Sequence, residues 1–340
     1  MQYADKEHPR NSMVKLGVFT IDQYHRSQSG SLAWLRRGRI DYRLLRPAAS
    51  PAPNQVAVFE AIMQQIQLSG GVFRTTSPHR FRELDAAVAP ILLRHFTPQQ
   101  ELRIADWAAS DCGASAAWHQ NLSRMFPRFC LTASDLNLYL IEMEVAGQGS
   151  YVFEQHGGVL QFIAPPFVIR LHPPEPRLLV INRLLARRAL ARLRRLRHTR
   201  NIDPTNIEFP PGSEELRRDR LTFRKVPLIH PSAAALARES PSFRIEQHSI
   251  FEPAPTPSHV IRTMNILNRV YFDSPTLERG VKSVWRSLHP GGLWIVGRTI
   301  QESPPVHHVS VLRKITNGFE LVERHKQASE IEDLALALKC

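Results

Sequence analysis

The segment RIADWAASDCGASAAW, residues 103–118, has the layout of a strand, a tight turn and a helix. Apolar residues lead into Asp106, a run of small residues follows, and Gly113 precedes an alanine-rich stretch that predicts a helix through about Met125. In open α/β sheets, turns of this kind lie beyond the carboxyl ends of strands, where nucleotide-like ligands bind. The segment therefore predicts an α/β fold with a ligand loop at the edge of its sheet.

The composition of this loop limits the ligand. A dinucleotide loop carries glycines in the frame D-x-G-x-G-x-G, because its backbone must approach a pyrophosphate closely. Here the frame reads Asp106, Ala108, Ser110 and Cys112, and Gly113 comes one position late. This argues against a nicotinamide-dependent oxidoreductase. S-adenosylmethionine has no phosphate, so the loop must only pass close to its methionine and ribose portions, and alanine and serine are small enough for that. The alternative is a turn that binds no ligand.

A second acid supports a nucleoside ligand. Asp135 falls 29 positions after Asp106, just past a predicted strand from Phe129 to Ala133. At that place a carboxylate can accept hydrogen bonds from ribose hydroxyls, and the order of strand, loop, helix, strand and acid favours this role. The alternative is an Asx or N-cap residue that starts the following helix.

Length and composition exclude several classes of protein. A chain of 340 residues with 43% hydrophobic and 22% charged residues can bury a large core, as one domain with an insertion or as two domains. No apolar run reaches the roughly 18 residues that span a bilayer, and the first residues lack the apolar core of a secretory signal. Cys112, Cys130 and Cys340 have no spacing typical of disulfides or zinc. We therefore expect a cytoplasmic protein without a metal site.

The net charge of +13 is concentrated in residues 177–200, which hold nine arginines and no acid. Leu185, Ala189, Leu193 and Leu196 share one helical face there, which predicts an amphipathic helix. Its simplest interpretation is a solvated helix whose leucines pack on the protein. The alternative is a basic helix on an anionic membrane surface or an acidic partner, which would make the protein peripheral to the membrane. Nucleic acid fits less well, because no aromatic residues interleave the arginines.

Strand and helix patterns predict how the chain is divided. Residues 1–54 form an N-terminal segment that ends in the proline-rich linker RPAASPAPN, and residues 55–100 form a helical lead-in. Residues 101–145 and 225–340 form the sheet domain, in which LWIVG is a fully apolar strand typical of a parallel sheet. Residues 146–224 form an insertion.

Three further features are predicted within these parts. Pro90 bends or divides the second helix of the lead-in. The insertion contains a β-hairpin that turns at Gly157-Gly158, followed by the arginine-rich helix. VPLI, which starts at Val226, is the first strand after the insertion. Because the insertion follows the second strand, we expect it to cap the ligand edge and to select the acceptor.

Residues 259–299, HVIRTMNILNRVYFDSPTLERGVKSVWRSLHPGGLWIVGRT, resemble the C-terminal half of class I S-adenosylmethionine-dependent methyltransferases. In particular they are similar to the chemotaxis-receptor methyltransferases, whose motif places an asparagine at Asn265, an aromatic pair at Tyr271-Phe272 and a turn at Pro290-Gly291-Gly292. The resemblance covers about residues 80–145 and 225–315. It implies a Rossmann-like doubly wound sheet with an N-terminal helical segment and an inserted cap.

The resemblance also implies a function and a site. The function would be methyl transfer from S-adenosylmethionine to an unidentified acceptor by in-line displacement. By this resemblance, Asp106 and the turn residues Ala108, Ser110 and Gly113 would line the methionine portion of the cofactor. Asp135 would bind the ribose, and Ile250 and Phe251 would flank the adenine. Asn265, beside the reactive methyl, and Tyr271 would be the catalytic residues.

Two departures from the family pattern keep a second function open. Ser249 replaces the acid that commonly ends strand three, and two extra residues separate Asn265 from Tyr271. Together with the loop that lacks glycines, they are compatible with a non-catalytic protein that keeps the fold and acts as a binding or membrane-associated module. For an acceptor that must lose a proton, His119, His248 and Tyr139 near the predicted strand ends are candidate bases, and a structural role is the favoured alternative for each.

Overall fold

The computed structural model describes residues 14–28, 38–46, 55–68, 74, 77–200, 203, 207–300 and 305–339. The chain divides into two compact units. The first unit comprises residues 1–69 and 139–227, and the second comprises residues 70–138 and 228–340. The linker predicted over residues 46–54 lies outside the described residues except for Arg46.

The first unit contains three helices and eight strands in its described residues. In chain order these are β1 (Gly17–Val18), α1 (Ile21–Gln28), β2 (Arg39–Ile40), α2 (Gln55–Met63), β5 (Tyr139–Val145), β6 (Gly149–Glu154), β7 (Val159–Ala164), β8 (Phe167–Arg170), α5 (Val180–Arg200), β9 (Glu215–Arg218) and β10 (Leu221–Pro227). Six of the strands form an antiparallel sheet in the order β8-β7-β6-β5-β10-β9. Leu193 of α5 lies in the same apolar cluster as Met143 and Phe223 of this sheet.

The second unit contains five helices and seven strands in its described residues. They are α3 (Arg82–His95), β3 (Leu102–Trp107), α4 (Gly113–Leu122), β4 (Phe129–Asp135), α6 (Pro231–Glu239), β11 (Phe243–Gln247), β12 (Ser258–Met264), α7 (Ser274–Ser287), β13 (Leu288–Ile300), β14 (Val306–Ile315), β15 (Gly318–His325) and α8 (Glu332–Ala337).

The strand order of the second unit is that of a doubly wound fold. The sheet runs β11-β4-β3-β12-β13-β14-β15, and its first five strands are parallel. In order of appearance this is 3-2-1-4-5-6-7, so the direction of winding reverses between β3 and β12. Ligands of such sheets bind at this switch point, beyond the carboxyl ends of the strands. The predicted α/β, Rossmann-like fold is confirmed.

The strands β13, β14 and β15 form an antiparallel end to this sheet. The pairing of β14 with β15 begins at Ile315 and Gly318, so these two strands form a hairpin around Asn317-Gly318. The apolar strand LWIVG lies within β13, where Leu293 to Val296 are at most 1% exposed. A strand buried on both faces cannot show polar alternation, which is why its sequence reads as a continuous apolar run.

Several element boundaries differ from the prediction. The strand expected to end at Ala133 extends to Asp135, and the helix expected to reach Met125 ends at Leu122. Pro90 does not divide its helix, because α3 is one element from Arg82 to His95. Buried Val88, Ile91 and Leu92 hold both sides of the proline against the core, so the loss of one backbone hydrogen bond is tolerated.

The insertion is larger than predicted. The hairpin β6–β7 and the helix α5 are both present, but they belong to a unit with a six-stranded sheet. The first unit begins its second segment at Tyr139 and ends it at Pro227, outside the predicted limits of 146–224. VPLI is therefore not a strand of the doubly wound sheet, since its first two residues end β10. Helix α2, expected to lead into the sheet domain, belongs to the first unit.

Among the described residues, no helix is both long enough and apolar enough to cross a bilayer.

Candidate functional site

The loop between β3 and α4 adopts the conformations of a glycine loop without glycines. Ala108, Ser110 and Cys112 have φ angles of 54°, 61° and 62°, in the left-handed region. These are the three positions at which the dinucleotide frame carries glycine. Each such conformation costs a residue with a Cβ about 1–2 kcal/mol, and it persists only when the surroundings enforce it. The loop backbone is therefore shaped for close approach of a ligand, although it carries alanine, serine and cysteine at these positions.

Asp135 fixes this loop from the neighbouring strand. Its Oδ2 accepts the backbone N–H of Ser110 at 2.8 Å, and its Oδ1 accepts the N–H of Asn137 at 3.0 Å. Arg74 donates to Oδ1 of Asp135 at 3.2 Å and to the carbonyl of Ser110 at 2.6 Å. The guanidinium of Arg74 is 3% exposed and the carboxylate side chain 13% exposed. Asp135 thus lies at the expected carboxyl edge of the sheet, but its negative charge is paired with the positive charge of Arg74.

Ser110 carries a buried hydroxyl whose Oγ has no hydrogen-bond partner among the described residues. An unsatisfied buried group of this kind costs about 1–3 kcal/mol unless a ligand or water completes it. Because the hydroxyl lies in the loop at the switch point, a bound ligand is a natural partner for it.

Substitution of Ser110 by glycine should stabilise the free protein. We expect Ser110→Gly to raise the free energy of unfolding of the second unit by about 1 kcal/mol, since it removes the left-handed strain and the unsatisfied hydroxyl. The greater freedom of the unfolded glycine offsets part of this gain. Urea unfolding measures the effect, and Ser110→Ala, which removes only the hydroxyl, is the matched control. A less stable Ser110→Gly variant would show that the loop is not strained.

Asp106 belongs to a buried ionic cluster below the loop. Arg262 lies directly opposite it in the β3–β12 register and donates to its two oxygens at 2.9 and 2.5 Å. Arg262 also donates to Asp85 of α3 at 2.7 Å, and Ser115 donates to Asp106 at 2.6 Å. The guanidinium lies 4.0 Å from the ring centroid of Trp118. We call Asp85, Arg262 and Asp106 the ionic triad.

The triad gives Asp106 a structural role. Its carboxylate is 6% exposed and accepts three hydrogen bonds within the protein, so it supports β3 and β12, and its place beside the methionine portion of a ligand stays a prediction. Although burial lowers the pKa of Arg262, its two carboxylate partners raise it overall. Burial raises the pKa of Asp85 to about 6. The positive charge of Arg262 opposes this rise, and the negative charge of Asp106 adds to it.

This shift predicts a pH dependence of stability. The folded pKa of Asp85 lies above its unfolded value of 3.8, so the folded state binds the proton more tightly and stability falls as pH rises through about 6. Asp85→Asn cannot lose that proton. We expect its unfolding free energy, relative to wild type, to rise by about 1 kcal/mol between about pH 5 and about pH 7. Urea unfolding at both pH values measures this change, and Glu83→Gln, at an exposed position of the same helix, is the control. The prediction would be contradicted if the unfolding free energy relative to wild type changed equally with pH in the two variants.

Asn265 directly follows β12 and has a φ of 65°, a conformation that asparagine tolerates better than most residues. Its side-chain oxygen accepts the N–H of Thr299 at 2.6 Å, and its own N–H donates to Gly297 at 2.9 Å. These bonds tie the carboxyl end of β12 to β13. Asn265 thus lies at the switch edge, as the motif implies, and its Oδ1 is held by the backbone of the next strand.

The loop that carries Tyr271 is organised by Asn268, which the sequence reasoning missed. Asn268 is 3% exposed, and its Oδ1 accepts the N–H groups of Val270 and Tyr271 at 3.0 and 3.2 Å. Its Nδ2 donates to the carbonyls of Asn265 and Ile266 at 3.3 and 3.2 Å. Tyr271 is 36% exposed, which leaves its ring accessible at this edge.

Ile250 and Phe251 lie in the turn after β11. Ile250 is 6% exposed and packs in an apolar cluster that includes Trp107 and Leu267. Phe251 is half-buried and meets Phe272 edge to face, with ring centroids 5.0 Å apart. Only Phe251 of the pair predicted to flank an adenine therefore offers much of its side chain to a ligand. The hydroxyl of Ser249 accepts the N–H of Phe251 at 3.3 Å and shapes this turn.

The three candidate bases lie in different surroundings. His119 is within α4, where its Nε2 lies 2.8 Å from the Ser242 hydroxyl, a structural position. Tyr139 begins β5 of the first unit. His248 follows β11 in the second unit, its ring centroid 4.6 Å from that of Trp107, and burial lowers its pKa. A neutral imidazole at the carboxyl edge can accept a proton.

The side chains with the greatest effect on the site charge, Arg74 and Arg262, are absent from the sequence prediction. Arg74 is 61 positions from Asp135 and Arg262 is 156 positions from Asp106. No local motif signals such pairs. One available signal was Arg262 directly after the apolar pair Val260 and Ile261 in a predicted strand, since a charge that is buried there must find a partner. Among the described residues, no three His, Cys, Asp or Glu side chains are grouped closely enough to hold a metal ion.

Comparison with known structures finds methyltransferases. CalS10, an amino pentose methyltransferase from Micromonospora echinaspora solved with S-adenosylmethionine, aligns over 78% of this chain and 83% of its own, with 11% identity and a TM-score of 0.31. A methyltransferase from Clostridium acetobutylicum aligns over 75% of this chain and 77% of its own, with 10% identity and a TM-score of 0.28.

The CMeT domain structure of the citrinin polyketide synthase aligns over 74% of this chain, with 12% identity and a TM-score of 0.32. This chain spans only 41% of that structure. No protein-family model and no curated protein matches the sequence. Alignments at this level carry no information about activity, and the strand order defines the fold.

Proposed function

We propose that the chain is an S-adenosylmethionine-dependent methyltransferase whose cofactor binds at the switch point of the second unit. The observation that carries this proposal is the loop of residues 108–112, which keeps three left-handed conformations and is held by Asp135. Backbone strain of this kind is concentrated at functional sites, so left-handed φ angles at Ala108, Ser110 and Cys112 favour a turn that binds a ligand. The finer resemblance to chemotaxis-receptor methyltransferases stays a prediction, and the acceptor is unassigned.

The residues present are compatible with this cofactor. Apart from buried Asp111, the side chains of residues 108–112 are alanine, serine and cysteine, and the Ser110 hydroxyl is a buried group that a ligand could complete. A carboxylate offers about four acceptor sites, and three bonds to Asp135 are accounted for above. Oδ2 of Asp135 can thus accept one ribose hydroxyl while Arg74 stays in place.

The proposed roles follow from these positions. When bound, S-adenosylmethionine supplies a methyl group on a sulfonium. Asp135 and Ser110 would hold the cofactor, Phe251 would contact the adenine, and Asn265 and Tyr271 would border the acceptor. Positioning of the acceptor supplies most of the rate in such a displacement. His248 would accept the proton if the acceptor is a hydroxyl or an amine.

Calorimetric titration of S-adenosylhomocysteine into the full chain tests the proposal. We expect micromolar affinity, and no binding would overturn it. NADH is the parallel titrant, because binding of NADH instead would favour an oxidoreductase. A tritiated methyl group transferred from the cofactor to any component of a cell extract would then establish catalysis.

A second candidate function is supported by the arginines. Arg74 and Arg262 pair with the two acids that the loop motif supplies, and such neutralisation is compatible with a non-catalytic protein that binds a nucleoside. That protein would bind S-adenosylhomocysteine and transfer no methyl group. Binding without transfer would therefore favour this second function over the first.

A further inference from the structure

Four large apolar side chains are exposed at the start of the arginine-rich helix of the first unit. Leu178, Val180, Ile181 and Leu184 are 68%, 55%, 40% and 48% exposed. We call them the apolar end. Isolated exposed leucines are common on protein surfaces, but four within seven residues form a contiguous patch that marks an interaction site.

The same face of α5 becomes basic further along the helix. Residues three or four apart lie on one face, so Val180 and Leu184 are followed there by Arg187, Arg188 and Arg195. All three arginines are exposed. The nearest acids on either side are Glu175 and Asp203, and none lies between them. The face is thus apolar in its first turns and positively charged in its later turns.

The opposite face of α5 fixes the helix in the first unit. Ala189 and Leu193 are 3% exposed and pack in the apolar cluster of the six-stranded sheet. Tyr151 of that sheet donates its hydroxyl to the carbonyl of Ala189 at 3.0 Å. Asn182 is fully buried and exchanges two hydrogen bonds with the backbone of Lys15, at 2.8 and 3.0 Å. The exposed face therefore has a defined orientation and does not depend on a partner to form.

We propose that this face docks on the anionic surface of a lipid bilayer, with the apolar end inserted among the headgroups and the arginines facing the phosphates. A helix that combines a short apolar region with cations and no acids has the composition of an interfacial anchor. Each arginine near an anionic membrane contributes attraction, and apolar insertion adds a contribution that salt does not screen.

The charge distribution favours a bilayer over other partners. A second copy of this chain would bring the same arginines together and would be repelled. Nucleic acid would pair with the arginines but would leave the apolar end exposed to water, and α5 has no Phe, Tyr or Trp side chain on which bases could stack. Only a surface that is both anionic and apolar within a few ångströms matches the whole face.

Flotation with lipid vesicles tests the proposal on the full chain. We expect binding to phosphatidylcholine vesicles that contain phosphatidylglycerol and little binding to phosphatidylcholine alone. Leu184→Asn should weaken this binding about tenfold, because it removes an inserted side chain. Leu93→Asn is the matched control, since Leu93 is 47% exposed on α3 of the second unit, and it should bind as wild type does.

The charge contribution has its own pair of variants. Arg188→Glu should weaken vesicle binding about tenfold or more, whereas Arg238→Glu at an exposed position of α6 should leave it unchanged. Absence of binding to anionic vesicles would overturn the proposal. Equal binding by Leu184→Asn and wild type would also overturn it, since attraction without insertion is expected for nucleic acid or an acidic protein, and binding to a DNA duplex would then identify the former.

Discussion

Replacement of Arg262 by methionine is expected to lower the free energy of unfolding by about 3–5 kcal/mol, the largest effect of any substitution considered for this chain. Its guanidinium is 1% exposed and offsets the charges of Asp85 and Asp106, which are 5% and 6% exposed. Without it, the two carboxylates would remain buried close together and would lose the cation that hydrogen-bonds both of them. Urea unfolding followed by tryptophan fluorescence measures the loss.

Arg298→Met is the matched control for this substitution. Arg298 also pairs with a carboxylate, Glu330 at 2.9 Å, but its side chain is 40% exposed. Exposed pairs contribute about 0–1 kcal/mol, so this variant should be nearly as stable as wild type. Arg262→Lys keeps the charge but loses the bidentate geometry of the guanidinium. Its free energy of unfolding should lie between those of Arg262→Met and Arg298→Met. If Arg262→Met and Arg298→Met were equally stable, the ionic triad would have no structural importance.

Replacement of Asp135 by asparagine is expected to weaken S-adenosylhomocysteine binding about 30- to 100-fold. A hydrogen bond to a charged group contributes about 1.5–3 kcal/mol, and the ribose hydroxyl would lose a carboxylate acceptor. The amide has the same shape, and its single oxygen can still accept the N–H of Ser110. Its NH2 group then faces Arg74 and the N–H of Asn137, which lose their acceptor. Calorimetric titration of the variant measures the change in affinity.

Glu246→Gln is the control for the charge of the neighbourhood, because Glu246 is exposed on β11, the strand that pairs with β4. It should bind the ligand as wild type does. Unchanged affinity in a folded Asp135→Asn variant would mean that the ribose contact lies elsewhere. Thermal unfolding of both variants separates lost affinity from a damaged loop.

The fold of the second unit was largely predictable, because its signals are local. The apolar run in β13, the N-cap Asp273 before α7 and the hairpin at residues 315–318 are each visible in a few consecutive residues. The loop and Asp135 could be located for the same reason. The conformation of Ala108, Ser110 and Cys112 could not, since their composition argues against left-handed backbone and the surroundings impose it.

Buried charged residues made the sheet of the first unit difficult to predict from the sequence. Glu142 interrupts the apolar pattern of β5, yet it is 1% exposed and pairs with Arg43 at 3.2 Å and with Arg46. Arg224 on β10 approaches the same carboxylate at 3.6 Å. A charged residue that finds its partners about 80 or more positions away reads as a surface residue in the sequence. The alternation that defines a strand was therefore lost in β5 and β10.

The division of the chain also governs the order in which the protein can fold during synthesis. Each unit is built from two segments, and the segments alternate along the chain, so neither unit is complete until residue 227 has left the ribosome. Strands β4 and β11 are neighbours in one sheet, yet about 90 residues of the other unit are made between them. Loop-closure entropy rises only with the logarithm of loop length, so the delay is kinetic more than energetic. If synthesis stopped near residue 227, β3 and β4 would be present without β11 and β12. Their strand edges would then be unpaired and could pair with strands of other nascent chains.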